Sequence, residues 1–178
     1  PPAAAQTATD PALQEWEVPY SQSRPRDPMV APDGRVWFVG QVGNYVSVLD
    51  PKTGSFEKFD MDEGVNPHNL IVDADGTVYY STIGVLGSLY AHQPNGVRKW
   101  TKSFDSPLRG SPAIDGNGTI YVLEDAGALH AVSPTGEKLW QYELPVEFGD
   151  EPSEYHNSPA ITEDNTVIFG WIDGTVYA

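Results

Sequence analysis

The chain has 178 residues, 39% of them hydrophobic and 11% aromatic, which is enough length and apolar content to bury one core and excludes global disorder. Its 25 acidic residues against 10 basic ones leave a formal charge of −15, a field that repels phosphate backbones and anionic lipids and so argues against nucleic acid as a partner. Cysteine is absent, which excludes disulfides and thiol chemistry, and no apolar run approaches the roughly 18 residues of a membrane-inserting span.

In chain order, residues 1–12 are small, polar and Pro-rich and are expected to form a flexible N-terminal segment. Their texture is that of a stub left after signal-peptide removal, so a periplasmic or secreted location is expected. QEWEVPY (14–20) alternates like a half-buried strand. Four segments then repeat one pattern: VAPDGRVWFVG (30–40), IVDADGTVYYS (71–81), AIDGNGTIYVL (113–123) and AITEDNTVIFG (160–170). Each is a short apolar run, a turn cluster and an alternating β-branched and aromatic run, that is, a hairpin. Asp33-Gly34, Asp75-Gly76, Asn117-Gly118 and Asp164-Asn165 supply residues that tolerate the positive φ of type I′ turns.

A third strand and turn follow each hairpin in YVSVLDPKTG (45–54), SLYAHQPNG (88–96) and ALHAVSPTG (128–136). Outer strands come next in SFEKFD (55–60), VRKWTKSF (97–104) and EKLWQYEL (137–144). The fourth repeat reaches only a third strand, GTVYA (174–178), while 14–20 matches the outer strands, Trp16 answering Trp100 and Trp140. A period of about 42 residues of four antiparallel strands defines the blades of an all-β β-propeller. Four blades are expected, at about 25–60, 67–104, 109–144 and 156–178, in one unit over 13–178, with strand 14–20 completing the last blade and removing two exposed sheet edges.

Residues 15–80 resemble the virginiamycin B lyase (streptogramin lyase) family of secreted or periplasmic-type seven-bladed propellers. The residues that carry this are EWEVPYSQSRPRDPMVAPDGRVWFVGQVGNYVSVLDPKTGSFEKF and NPHNLIVDADGTVYY. That family uses two histidines and a glutamate with a magnesium ion, and the step Pro67-His68-Asn69 is the part of its pattern matched here. Residues 88–178 resemble pyrroloquinoline-quinone-type repeats, carried by AVSPTGEKLW (131–140) and by the SPAI starts at Ser111 and Ser158. Such repeats occur in quinoprotein dehydrogenases and in non-enzymatic assembly factors. The dehydrogenases use a vicinal cysteine pair beside the quinone, so with no cysteine a pyrroloquinoline quinone is not expected. The chain reads as two half-propellers of different families joined together, whether by nature or by assembly.

Propeller ligands bind where the inner strands begin around the channel. Alignment on the hairpins places Asp27, Asn69, Ser111 and Ser158 at one ring position, Arg26, His68, Gly110 and Asn157 at a second, and Pro25, Pro67, Arg109 and His156 at a third. Arg26, Asp27, Asn69, Arg109, Ser111 and Ser158 are therefore candidate ligand-binding residues. Read as local structure instead, such Ser, Asn and Asp side chains bond the backbone of their own turns. His68 and His156 are the candidate catalytic residues of a lyase-like site, and with Glu154 they are the candidate ligands of a divalent cation. Glu151 lies in the same 145–156 loop. His92 and His130, in third strands, read as packing residues, and Asp73-Ala-Asp75-Gly76 reads as a hairpin turn and not a calcium loop.

The reading that follows is an exported, non-enzymatic propeller acting as scaffold or binding module, with a protein or a small polar ligand as partner and no cofactor. Its alternative is a metal-assisted lyase using the mouth histidines. A homodimer closing an eight-bladed ring is favoured over a four-bladed monomer or a strand-donating polymer.

Overall fold

The computed structural model describes residues 13–84, 86–145 and 157–178. Fifteen strands make up its regular structure among these residues, without a helix. The first blade is β1 (Pro25–Val30), β2 (Val36–Gly40), β3 (Tyr45–Asp50) and β4 (Ser55–Asp60). The second is β5 (Pro67–Val72), β6 (Val78–Thr82), β7 (Ser88–His92) and β8 (Arg98–Ser103). The third is β9 (Ala113–Ile114), β10 (Ile120–Glu124), β11 (Ala128–Val132) and β12 (Lys138–Glu143). The last is β13 (Ala160–Ile161), β14 (Val167–Gly170) and β15 (Val176–Tyr177). Each is an antiparallel meander with strands in sequence order, so three sheets have four strands and the fourth has three. The molecule is a β-propeller.

The hairpins form because one residue in each turn accepts positive φ: Gly34 (85°), Gly76 (85°), Gly118 (83°) and Asn165 (63°). The residue before each keeps negative φ, so these are type I turns closed by a single left-handed residue, not the type I′ turns expected. The pairing is explicit in the first blade: Gly34 N–H donates to Ala31 O at 2.9 Å, and Ala31 N–H to Arg35 O at 2.8 Å. An acid stabilises this geometry. Asp73 Oδ1 accepts from the N–H groups of Asp75 and Thr77, and Asp115 Oδ1 from those of Asn117 and Thr119. The Asp73-Ala-Asp75-Gly76 run is thus a hairpin.

Alternation along the strands gives every blade two apolar faces, and successive blades pack face to face. Trp37, Val39, Val46 and Val48 of blade 1 meet Leu70, Val72, Val78 and Tyr80 of blade 2. Tyr79, Leu89 and Ala91 of blade 2 meet Ile120, Val122 and Val132 of blade 3. Tyr121, Leu123, Leu129 and Ala131 of blade 3 meet Phe169 and Trp171 of blade 4. The outer strands join in, since Trp100 packs on Tyr79 and donates from Nε1 to Pro134 O at 2.8 Å.

Residues 14–20 differ from expectation. They form no strand and make no ladder to the fourth sheet. Trp16, Val18 and Tyr20 lie instead on the open face of blade 1, against Phe38, Tyr45 and Leu49. The physical reason is that a strand is defined by a neighbour to bond, and among the described residues none of the four sheets pairs with this segment.

Candidate functional site

The candidate site lies where the inner strands begin. Two bulges shape it. In β1 the register shifts between Arg26 and Met29, with Asp27 in the left-handed region at φ 47°. In β5 it shifts between Pro67 and Asn69. A bulge lets two residues oppose one and re-aims their side chains, so the consecutive pairs Arg26-Asp27 and His68-Asn69 all turn into interblade contacts.

Arg26 Nη1 stands 2.7 Å from His68 Nε2 and donates to Gln41 Oε1 at 3.2 Å. Arginine has only donors, so His68 Nε2 accepts and the ring is neutral with its proton on Nδ1. His68 is buried, 2% exposed. Asp27 Oδ2 accepts the Ser111 hydroxyl at 3.1 Å, joining blade 1 to blade 3. Ser111 N–H donates to Ser158 Oγ at 2.9 Å, joining blade 3 to blade 4. Asn69 Nδ2 donates to Arg109 O at 2.5 Å, joining blade 2 to blade 3. Arg109 Nε in turn pairs with Asp125 Oδ2 at 2.6 Å, both side chains largely buried. All six candidate ligand-binding residues and His68 therefore fall in one interblade network. His156, Glu151 and Glu154 lie outside the described residues.

Gln41 and Asp125 are members of this network that the sequence reading missed. Both follow a second strand, in the β2–β3 and β10–β11 loops, at the end of the sheet where the inner strands begin. The signal was available: Arg26 at the second ring position and Arg109 at the third each need an acceptor from the loop beside them.

The third-strand histidines are packed and bonded, as their setting implied. Gly96 O can only accept, so His92 Nδ1 donates to it at 3.0 Å, and Nε2 faces the Tyr80 hydroxyl at 3.0 Å. Burial pushes the His92 pKa below its ordinary 6.5, and the Gly96 bond only partly offsets this. His130 Nε2 meets Glu124 Oε2 at 2.7 Å under the edge of Phe104. Burial raises the Glu124 carboxyl, but the bonds from His130 and from Ser106 N–H outweigh it and hold the group below its usual range.

Chemically, the network cross-links blades. Among the described residues no group of three or more His, Asp or Glu side chains is placed to hold a metal ion.

Residues 85–178 match the family model described as outer membrane protein assembly factor BamB. Among solved structures, a catalytically inactive virginiamycin B lyase from Staphylococcus aureus with quinupristin superposes with TM-score 0.72 at 20% identity, over 92% of this chain and 58% of the lyase. The computationally designed Ika4 protein gives 0.70 at 18% identity, over 93% of this chain and 97% of that one. BamB from Moraxella catarrhalis gives 0.60 at 19% identity, over 84% and 40%. The chain thus spans a little over half the length of the lyases it matches. At these identities the likenesses establish the fold. No curated protein matches by sequence.

Proposed function

Because this chain belongs to the family of the outer membrane protein assembly factor BamB, we propose that it is an exported propeller that works as a scaffold or binding module and carries out no reaction of its own. The observation that supports this most directly is how the mouth residues are engaged. Arg26 with His68, Asp27 with Ser111, Ser111 with Ser158 and Asn69 with the Arg109 carbonyl bond one another across the blades, and the Arg109 guanidinium is paired with Asp125 within blade 3. A lyase needs a base and a cation converging near about 3 Å on one substrate. Here the His68 Nε2 lone pair already faces a guanidinium, which repels a metal ion and occupies the base.

The test is calorimetric titration of magnesium and manganese into wild type and the His68→Ala/His156→Ala variant. It is paired with mass spectrometry of quinupristin incubated with the wild type and magnesium. No histidine-dependent heat and no ring-opened quinupristin are expected. Micromolar cation binding that disappears in the variant, or ring opening that requires His68, would replace the scaffold by a metal-assisted lyase.

A further inference from the structure

Blades 2 and 3 leave a crevice of about 220 Å³ between them, walled by Lys102, Phe104 and Asp105 of blade 2 and by Glu124, His130 and Lys138 of blade 3. That volume is below the roughly 300 Å³ of the smallest drug-sized sites, so an occupant has a few heavy atoms. The crevice recurs one joint earlier, between blades 1 and 2, at the same volume and with Met61, Asp62, Tyr90 and Arg98 in the equivalent places. Its chemistry does not recur. Tyr90 stands where His130 does, and Thr82, which accepts from Ser88 N–H at 2.9 Å, stands where Glu124 does. The fold therefore needs a crevice at each joint but not a histidine–carboxylate pair in it. In this one Glu124 accepts from Ser106 N–H at 2.6 Å and meets His130 Nε2 at 2.7 Å, and these bonds hold the carboxyl below its usual range against the burial that raises it. An ionised carboxylate can only accept, so Nε2 carries a proton and donates. The other ring nitrogen, Nδ1, is buried with no hydrogen-bond partner, in a side chain 5% exposed. An unpaired buried polar atom calls for an occupant.

We propose that the crevice between blades 2 and 3 binds a small oxyanion, a carboxylate or a tetrahedral anion, on Lys102, Lys138 and a His130 that takes up a proton as the anion enters. Two of the chain's 10 basic residues stand on this one wall, in a molecule of charge −15. Among the described residues neither lysine is held in an ion pair; Lys138 Nζ donates to Gln141 Oε1 at 2.8 Å. The opposing charges are Asp105 and Glu124, so with a neutral His130 the ionised groups of the crevice cancel. A proton from solvent on Nδ1 leaves one positive charge for one anion. It also turns a lone pair that would repel the anion into a donor, while Glu124 stabilises the resulting imidazolium. A metal ion fits less well, because no group of three ligating side chains forms among the described residues. The crevice shares no residue with the mouth network, so this reading and the scaffold reading fail separately.

Sulfate and acetate are the probes, because neither titrates between about pH 6 and 8. The readout is the His130 ring signal in NMR spectra of the full chain, assigned by its contact with the Phe104 ring, 4.9 Å between centroids, and by its loss in His130→Gln. At least one probe is expected to shift this signal saturably at about 50 mM or below. Affinity should rise by up to about tenfold per unit as pH falls, the mark of one proton taken up per anion. Lys102→Ala/Lys138→Ala changes two solvent-accessible side chains and should weaken binding about tenfold. A response to sulfate alone assigns a tetrahedral anion, to acetate alone a carboxylate, and to both a general oxyanion site. A ring signal that neither probe moves would leave the crevice to water and overturn the site. Affinity that is independent of pH, or that survives intact without both lysines, would overturn it too. Should either variant fail to fold by circular dichroism, the pH dependence of the wild type decides.

Discussion

Asp115 shows how much one carboxylate does in this architecture. It accepts from the N–H groups of Asn117 and Thr119 and, through Oδ2, from the Tyr121 hydroxyl at 3.0 Å, and Asp73 serves Asp75, Thr77 and Tyr79 in the same way one blade earlier. Burial raises the Asp115 carboxyl, but the backbone bonds prevail and hold it below its ordinary value. Asp115→Ala strands two N–H donors and a buried hydroxyl, and is expected to cost about 1–3 kcal/mol by urea denaturation. His92 has a separate signature. Its folded pKa is depressed, so as pH falls below about 6.5 the unfolded chain takes up a proton that the folded chain refuses. Stability contributed by neutral His92 is therefore full above that pH and is lost on acidification. His92→Gln should flatten the fall in melting temperature between pH 7 and 5, and an unchanged slope would assign that fall to other groups. At this scale the ring of polar residues was legible in the sequence. Equivalent positions of a repeat converge, so aligning the hairpins was enough to bring Asp27, Ser111 and Ser158 together.

Among the elements, the N-terminal segment is the one whose removal tells most. Trp16, Val18 and Tyr20 cover Phe38, Tyr45 and Leu49 on the open face of blade 1, beside a cavity of about 280 Å³ that Trp16 and Val18 line with Phe38, Leu49 and Phe56. Deleting residues 1–20 should expose this face and show as lower solubility and stronger binding of a hydrophobic dye. Deleting only 1–12, which carry no alternating pattern, should leave both unchanged. Equal behaviour of the two truncations would detach the segment from the fold. The sequence showed that 14–20 has the character of an outer strand but not its address. Character is local alternation, whereas the address depends on which sheet edge lies alongside.

Over the whole molecule, a charge of −15 on 178 residues acts against compactness and against self-association. Screening should therefore help both. Raising ionic strength from about 10 mM to 150 mM shortens the Debye length from about 30 Å to 8 Å. The melting temperature should rise, and association of two copies should tighten. Melting curves and sedimentation at both salts measure this, and a melting temperature that falls with salt would mean that attractive pairs such as Arg109–Asp125 outweigh the net repulsion.

Strand order, blade number and turn positions were set by the sequence alone. They depend on period-two alternation and on which residues accept positive φ, and both are properties of a few neighbouring residues. The tertiary structure decided which polar groups meet. Gln41 reaches Arg26 and Asp125 reaches Arg109 because loops of one sheet overhang the strand starts, and Arg26 and Asp27 both turn into contacts because a bulge breaks the alternation there. It also decided that Trp16 rests on Gly54, since docking against a blade requires the distant face of blade 1 to exist first.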